Sequence, residues 1–241
     1  MGPRIKFIHI PKTGGRYIRI LLQGKFLQGR IFDDTSHDFA LKPVWNRAVS
    51  GTGPSISYTS NGDWQSYMYF SIIRNPFDLL HSYYLHTRSN YSGFAGCNTI
   101  HNIASFPDFI EKYCDPDFQW HVPLLKHHLF SQLFLPGGKL LPKMIVRFEH
   151  YKEGLQQLFD ECGIRVLGWP PKANQTQGKV DYRTVYTPSM KAMVEKKCQR
   201  ELKDFGYTFS GPTDDVALLH RDQNLPGVTF AHEHLPGVYV S

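Results

Sequence analysis

In the stretch Pro11-Lys12-Thr13-Gly14-Gly15 a lysine and two glycines separate the apolar run Ile5 to Ile10 from apolar residues at helical spacing, Ile18, Leu21, Leu22 and Phe26. A tight glycine-containing loop between a strand and a helix aims backbone N–H groups, and the positive end of the helix dipole, at one spot. That spot suits phosphate or a similar anion. The glycines allow close approach of the backbone, and Lys12 adds a full positive charge. A second cation stands at the same kind of junction. Arg74 follows the apolar run Tyr69 to Ile73 and precedes Asn75-Pro76, where Asn75 suits a helix cap and Pro76 the first turn. A guanidinium at the carboxyl end of a strand can hold two anion oxygens at once. Ser82, about two turns into the following helix, adds a hydroxyl donor if it faces the ligand, and otherwise reads as a polar residue on a solvated face.

The lysine precedes both glycines. A Walker A loop places it after the last glycine and follows it with Ser or Thr, so an ATP-dependent phosphotransferase is the weaker reading of this loop.

The elements that position these residues follow from periodicity. Strands are predicted at 5–10, 69–73 and 144–148, and helices after each of them: 18–26, 76–83 and 155–162. Further helices are predicted at 106–114, 120–133 and 190–205, the last stopped by Gly206. Strands alternating with helices predict an α/β fold, a single domain with a central parallel sheet flanked by helices. That domain spans 1–212, and an extended tail follows over 213–241, in which Leu-Pro-Gly-Val occurs at 225 and again at 235.

A chain of 241 residues with 41% hydrophobic and 20% charged residues is globular, and long enough for one substantial core. The net charge of +6 suits anionic ligands, while the absence of a dense Lys/Arg block argues against nucleic acid as a partner. Cys97, Cys114, Cys162 and Cys198 lack any close pairing, so a metal site is not expected, and Cys162 and Cys198 fall on apolar helix faces as buried thiols. No apolar run reaches the roughly 20 residues that span a bilayer. The expected location is therefore cytoplasmic. The tripeptides Asn90-Tyr91-Ser92 and Asn174-Gln175-Thr176 fit glycosylation acceptors and keep a Golgi-lumenal catalytic piece as the alternative. The oligomeric state has no signal in the sequence.

His9-Ile10-Pro11-Lys12-Thr13-Gly14-Gly15 resembles the 5′-phosphosulfate loop of sulfotransferases that use 3′-phosphoadenosine 5′-phosphosulfate (PAPS), in the branch of Golgi carbohydrate sulfotransferases and their bacterial relatives. Arg74-Asn75-Pro76-Phe77-Asp78, followed by Ser82 and Tyr83, is similar to the 3′-phosphate element of the same family. The resemblance continues thinly through Ile145 to Glu149 and Asn174 to Tyr207. It implies the P-loop-like sulfotransferase fold. It also implies transfer of a sulfuryl group from PAPS to a hydroxyl, less readily an amine, with release of adenosine 3′,5′-bisphosphate (PAP). Lys12, Thr13, Gly14, Gly15, Arg16 and Tyr17 would line the 5′ end of the nucleotide, and Arg74 and Ser82 the 3′-phosphate. The family usually carries Thr and Ser where this chain has Arg16 and Tyr17. Lys179 or Arg183 would close over the nucleotide.

Sulfuryl transfer requires a proton acceptor for the incoming hydroxyl and stabilised charge on the leaving phosphate. Lys12 meets the second need. For the first, His37 lies between the two loops in Ser36-His37-Asp38 and resembles the histidine segment of the family, which makes it the expected base. His9 is expected to pack beside or orient the loop, and His81, His86, His121, His127 and His128 to be candidates for the acceptor cleft, without specific support for any of them. Glu149 is expected to balance Arg147, or else to act as a second base or to organise a loop. No metal is expected, because PAPS already carries an activated leaving group. The acceptor is a carbohydrate, a small metabolite or a tyrosyl side chain. The rival readings are a P-loop-type phosphotransferase and a non-catalytic binder of anionic polymers.

Overall fold

The computed structural model describes residues 4–23, 26–28, 67–88, 103–120, 125, 129–134, 140–171 and 180–220. At its centre are strands β1 (Arg4–Ile8), β3 (Tyr67–Ile73), β4 (Met144–Arg147) and β8 (Leu218–His220), in the order β1-β3-β4-β8. β1 and β3 run parallel with Phe7 opposite Phe70, and β3 and β4 run parallel with Ile72 opposite Val146. Two minor ladders pair β2 (Leu27–Gln28) with β5 (Arg165–Val166), and β6 (Tyr207–Thr208) with β7 (Gly211–Pro212).

The sheet is mixed rather than parallel throughout, because β8 runs antiparallel to β4, with Ile145 opposite Leu219. The cause lies at the carboxyl end of β4. The guanidinium of Arg147 is 1% exposed and donates to the backbone carbonyls of Phe205, Asp214 and Val216 and to the Asp214 carboxylate. The returning chain is thus anchored beside the end of β4, and a strand that starts there can only run back along it. An antiparallel edge on an otherwise parallel sheet is common in such folds. This strand lies inside the segment expected to be an extended tail from 213; residues 221–241 lie outside the described residues.

Alternation along β3 feeds two cores. Tyr69 and Ile73 join one cluster with α2 (Pro76–Arg88), α3 (Phe106–Cys114) and α5 (Pro188–Lys197), through Phe77, Phe109 and Val194, and with Phe205, which follows α6 (Gln199–Asp204). Phe70 and Ile72 join the other, with α1 (Gly15–Gln23) and α4 (Tyr151–Glu161), through Ile18, Leu21, Leu155 and Phe159. Both faces of the sheet are covered, as β-α alternation requires. The helix expected over 190–205 is instead two, broken at Cys198, whose buried thiol lies 3.4 Å from the Tyr113 hydroxyl. Of the expected 120–133 helix, Leu125 is helical and Ser131–Leu133 form a 3-10 turn.

Candidate functional site

The first loop leaves β1 at Ile8 and closes through Thr13, whose hydroxyl donates to the Ile10 carbonyl at 2.7 Å while its amide points at the same oxygen. Thr13 is fully buried, so its side chain holds the turn instead of facing a ligand. Lys12 has φ +70°, the only positive value at a non-glycine residue among the described residues, and Gly14 follows at +89°. Such a backbone excursion in a non-glycine residue is costly and persists where the surroundings enforce it. At Gly15 an added Cβ would sit 1.9 Å from His9 Nε2, so no larger residue fits there while His9 keeps its place.

The first hydrogen bond of α1 runs from the Ile18 amide to the Gly14 carbonyl at 3.1 Å. The amides of Gly15, Arg16 and Tyr17 therefore have no partner within the helix, and the positive end of its dipole lies with them. Arg16 and Tyr17 occupy the first turn of α1. Arg16 is exposed at the first turn. Tyr17 is buried against Tyr151, with ring centroids 5.3 Å apart at a T-shaped angle, and burial, then Tyr151, pushes its hydroxyl up to about 12. Tyr17 thus offers an anion its amide and not its side chain.

Arg74 stands at the end of β3, 3% exposed. Its Nε donates to Asp78 Oδ2 at 2.7 Å, its Nη2 lies 2.6 Å from the same oxygen, and its Nη1 donates to the Lys12 carbonyl at 2.9 Å. The Phe148 ring lies beneath the guanidinium, 4.5 Å from centroid to Cζ, and also faces Gly14, where an added Cβ would meet it at 3.4 Å. Lys12, Gly14, Phe148 and Arg74 therefore form one cluster, and the two loops expected to hold opposite ends of a nucleotide are in contact. Five guanidinium N–H groups outnumber the contacts Arg74 makes. Asn75 caps α2 as expected, its side-chain oxygen accepting from the Phe77 amide at 3.0 Å. Ser82 is 1% exposed, which rules out a solvated face.

Glu149 was expected to balance Arg147, but Arg147 pairs with Asp214. The Glu149 carboxylate instead accepts from the Asn75 amide at 2.8 Å and from the Tyr207 hydroxyl at 2.9 Å, and Asn75 Nδ2 donates to the Thr208 carbonyl at 2.7 Å. The β6-β7 ladder thereby holds the Arg74 loop from behind. Tyr207 is buried, and burial, then the Glu149 charge, raises its hydroxyl well above the usual tyrosine range, so it stays a donor. The sequence carried no signal for the contact that Tyr207 makes, because its partner is 58 positions away.

The histidines divide by environment. His9 packs beside Phe7, at 5.8 Å between rings, and burial, then the Arg19 charge, lowers it to about 4. His81 is buried beside Phe106. His86 is half-buried, and burial, then the Lys12 charge, lowers its pKa. His37, His121, His127, His128 and Lys179 lie outside the described residues. Arg183 is exposed and paired with Asp181. Cys162 and Cys198 are buried free thiols, as expected. Among the described residues no group of three or more His, Cys, Asp or Glu side chains could hold a metal ion, and no helix is long and apolar enough to cross a membrane.

These loops bring together three helix-start amides, the left-handed Lys12 residue and a desolvated guanidinium, joined by one hydrogen bond, a combination of groups that suits an anion. No family model matches the chain, and no curated protein or solved structure matches it either.

Proposed function

We propose that the chain is a PAPS-dependent sulfotransferase of the P-loop-like fold, which moves a sulfuryl group from PAPS to a hydroxyl of a carbohydrate, small metabolite or tyrosyl side chain and releases PAP. The observation that carries this reading is the hydrogen bond from Arg74 to the Lys12 carbonyl, which brings two cationic strand-to-helix loops to one place. A nucleotide with anionic groups at both its 5′ and 3′ positions needs two such loops at once.

In this reading the amides of Gly15, Arg16 and Tyr17 and the Lys12 ammonium hold the 5′ end, and Lys12 meets the charge that grows on the leaving phosphate. Arg74 and Ser82 hold the 3′-phosphate. Phe148 and Glu149 fix the distance between the loops. A neutral imidazole takes the acceptor proton, for which the sequence names His37. No step needs a metal, since Lys12 and the helix start already answer the negative charge.

Calorimetric titration with PAP, 5′-AMP and ATP with magnesium tests the assignment. The reading predicts that PAP binds at least tenfold more tightly than 5′-AMP, because the 3′-phosphate adds charge-assisted bonds worth about 1.5–3 kcal/mol each. Preference for ATP with magnesium would favour a phosphotransferase. Tight PAP binding without transfer to any acceptor would favour a non-catalytic binder.

A further inference from the structure

We propose that the groove between α5, α6 and β6 is a second binding site of this chain, which takes an acidic oligosaccharide: an extended sugar chain bearing sulfate or carboxylate groups. In the transfer reaction it holds an anionic carbohydrate acceptor by a part that does not react, and that role rests on the proposed function. The groove encloses about 660 Å³. Lys196 stands on its α5 wall, Gln199 and Lys203 on its α6 wall, and Leu202, Gly206 and Tyr207 complete the lining used here.

Lys196, Gln199 and Lys203 are spaced as residues on one helix face, and the helical hydrogen bonding continues across the break at Cys198. The Cys198 amide donates to the Val194 carbonyl at 2.8 Å, and the Cys198 carbonyl accepts from the Leu202 amide at 2.9 Å. All three side chains are exposed, and neither lysine makes a hydrogen bond or ion pair with a described residue. Glu195, the acid at the groove, lies 3.7 Å from Lys191. Over 188–204 five Lys and Arg stand against three acids, of which Glu201 is buried and accepts from the Leu129 amide at 3.2 Å. The groove therefore presents positive charge to solvent.

The spacing and the chemistry of these groups select the ligand. The two lysines are about 10 Å apart along the helix axis. An extended chain with repeated negative groups meets both at once, which a single inorganic anion does less well. Between them the Gln199 carboxamide offers both a donor and an acceptor, as sugar hydroxyls require, and Leu202 offers apolar surface to the C–H face of a ring. No arginine lines the groove among the described residues, so the planar fork that suits nucleic-acid phosphates is missing.

The groove backs on the Arg74 loop. Tyr207 borders it, while the Tyr207 hydroxyl donates to Glu149, whose carboxylate also accepts from the Asn75 amide beside Arg74. An acceptor chain anchored there is held against the element that carries one of the two nucleotide loops.

The test uses the full chain with dextran sulfate, unsulfated dextran, polyglutamate and oligothymidylate of similar length. Calorimetry in saturating PAP compares the wild type with Lys196→Gln/Lys203→Gln and with Lys197→Gln/Arg200→Gln, a pair of exposed cations outside the groove lining. Dextran sulfate should bind the wild type more tightly than the other probes do. Its affinity should fall by about tenfold or more in the groove variant and change by less than about twofold in the other. In transfer assays the groove variant should raise KM for a sulfated acceptor and leave kcat within about twofold. Equal affinity in the wild type and the groove variant overturns the site, and tighter binding of polyglutamate or oligothymidylate overturns its ligand class. A wild type that binds dextran sulfate through the groove but does not bind PAP overturns the transferase reading and leaves the groove assigned.

Discussion

The Nη1 of Arg74 donates to the backbone carbonyl of Lys12 at 2.9 Å, across 62 positions of sequence. A residue expected to hold one end of a ligand thus also shapes the loop expected to hold the other. The left-handed backbone of Lys12 and the Phe148 ring under the guanidinium belong to the same contact.

Arg74→Lys removes that bond and the planar fork while keeping the charge. PAP affinity should fall by about 10- to 100-fold, the equivalent of one charge-assisted bond. The melting temperature should fall as well, since Asp78 is left buried beside a poorer partner. Calorimetry and thermal unfolding check both, and an unchanged PAP affinity would remove Arg74 from the binding site.

Lys12→Ala should leave the fold intact, because the side chain is half-exposed and only its carbonyl holds Arg74. PAP binding should weaken modestly, while turnover should fall by about 100-fold or more, as expected for a charge that acts on the leaving group. Single-turnover kinetics separates the two effects.

Glu149→Ala leaves the buried Tyr207 hydroxyl and the Asn75 amide without their acceptor. The expected loss of stability is about 1–3 kcal/mol by urea denaturation, accompanied by weaker PAP binding as the Arg74 loop loosens. Glu149→Gln retains an acceptor oxygen and should lie between wild type and Ala.

His9 links stability to pH. Its folded pKa, about 4, lies below the ordinary histidine value of 6.5, so the unfolded chain binds the proton first as pH falls. Stability should be full above about pH 6.5 and decline through the window down to about 4, by roughly 3 kcal/mol in all. A pH series of urea titrations should show a shallower decline in His9→Asn than in wild type.

Some of this was legible in the sequence. The two loops were visible as spaced motifs, because Pro, Gly and Asn punctuate the chain where strands become helices, and β1, β3 and β4 are mostly apolar, as buried strands require. Tyr17 was expected to line the 5′ end of the nucleotide, although with Ile18 and Leu21 it falls on the buried side of α1. Loop organisation was one reading of Glu149, but its partners, and the roles of Tyr207 and Phe148, could not be read, since each acts on residues far away in sequence through contacts that no local pattern encodes. The direction of β8 was hidden for the same reason. It depends on where a single buried guanidinium, Arg147, gathers the carbonyls of Phe205, Asp214 and Val216.

The most direct measurement of the central claim is transfer of labelled sulfur from PAPS to hydroxyl acceptors by the purified chain, with PAP release followed in parallel. The account predicts label on an acceptor in one-to-one proportion to PAP, without ATP or magnesium, and loss of both signals in Lys12→Ala. Binding of PAPS with no label transferred to any sugar, phenol or small-metabolite hydroxyl, or transfer that survives Lys12→Ala unchanged, would contradict it.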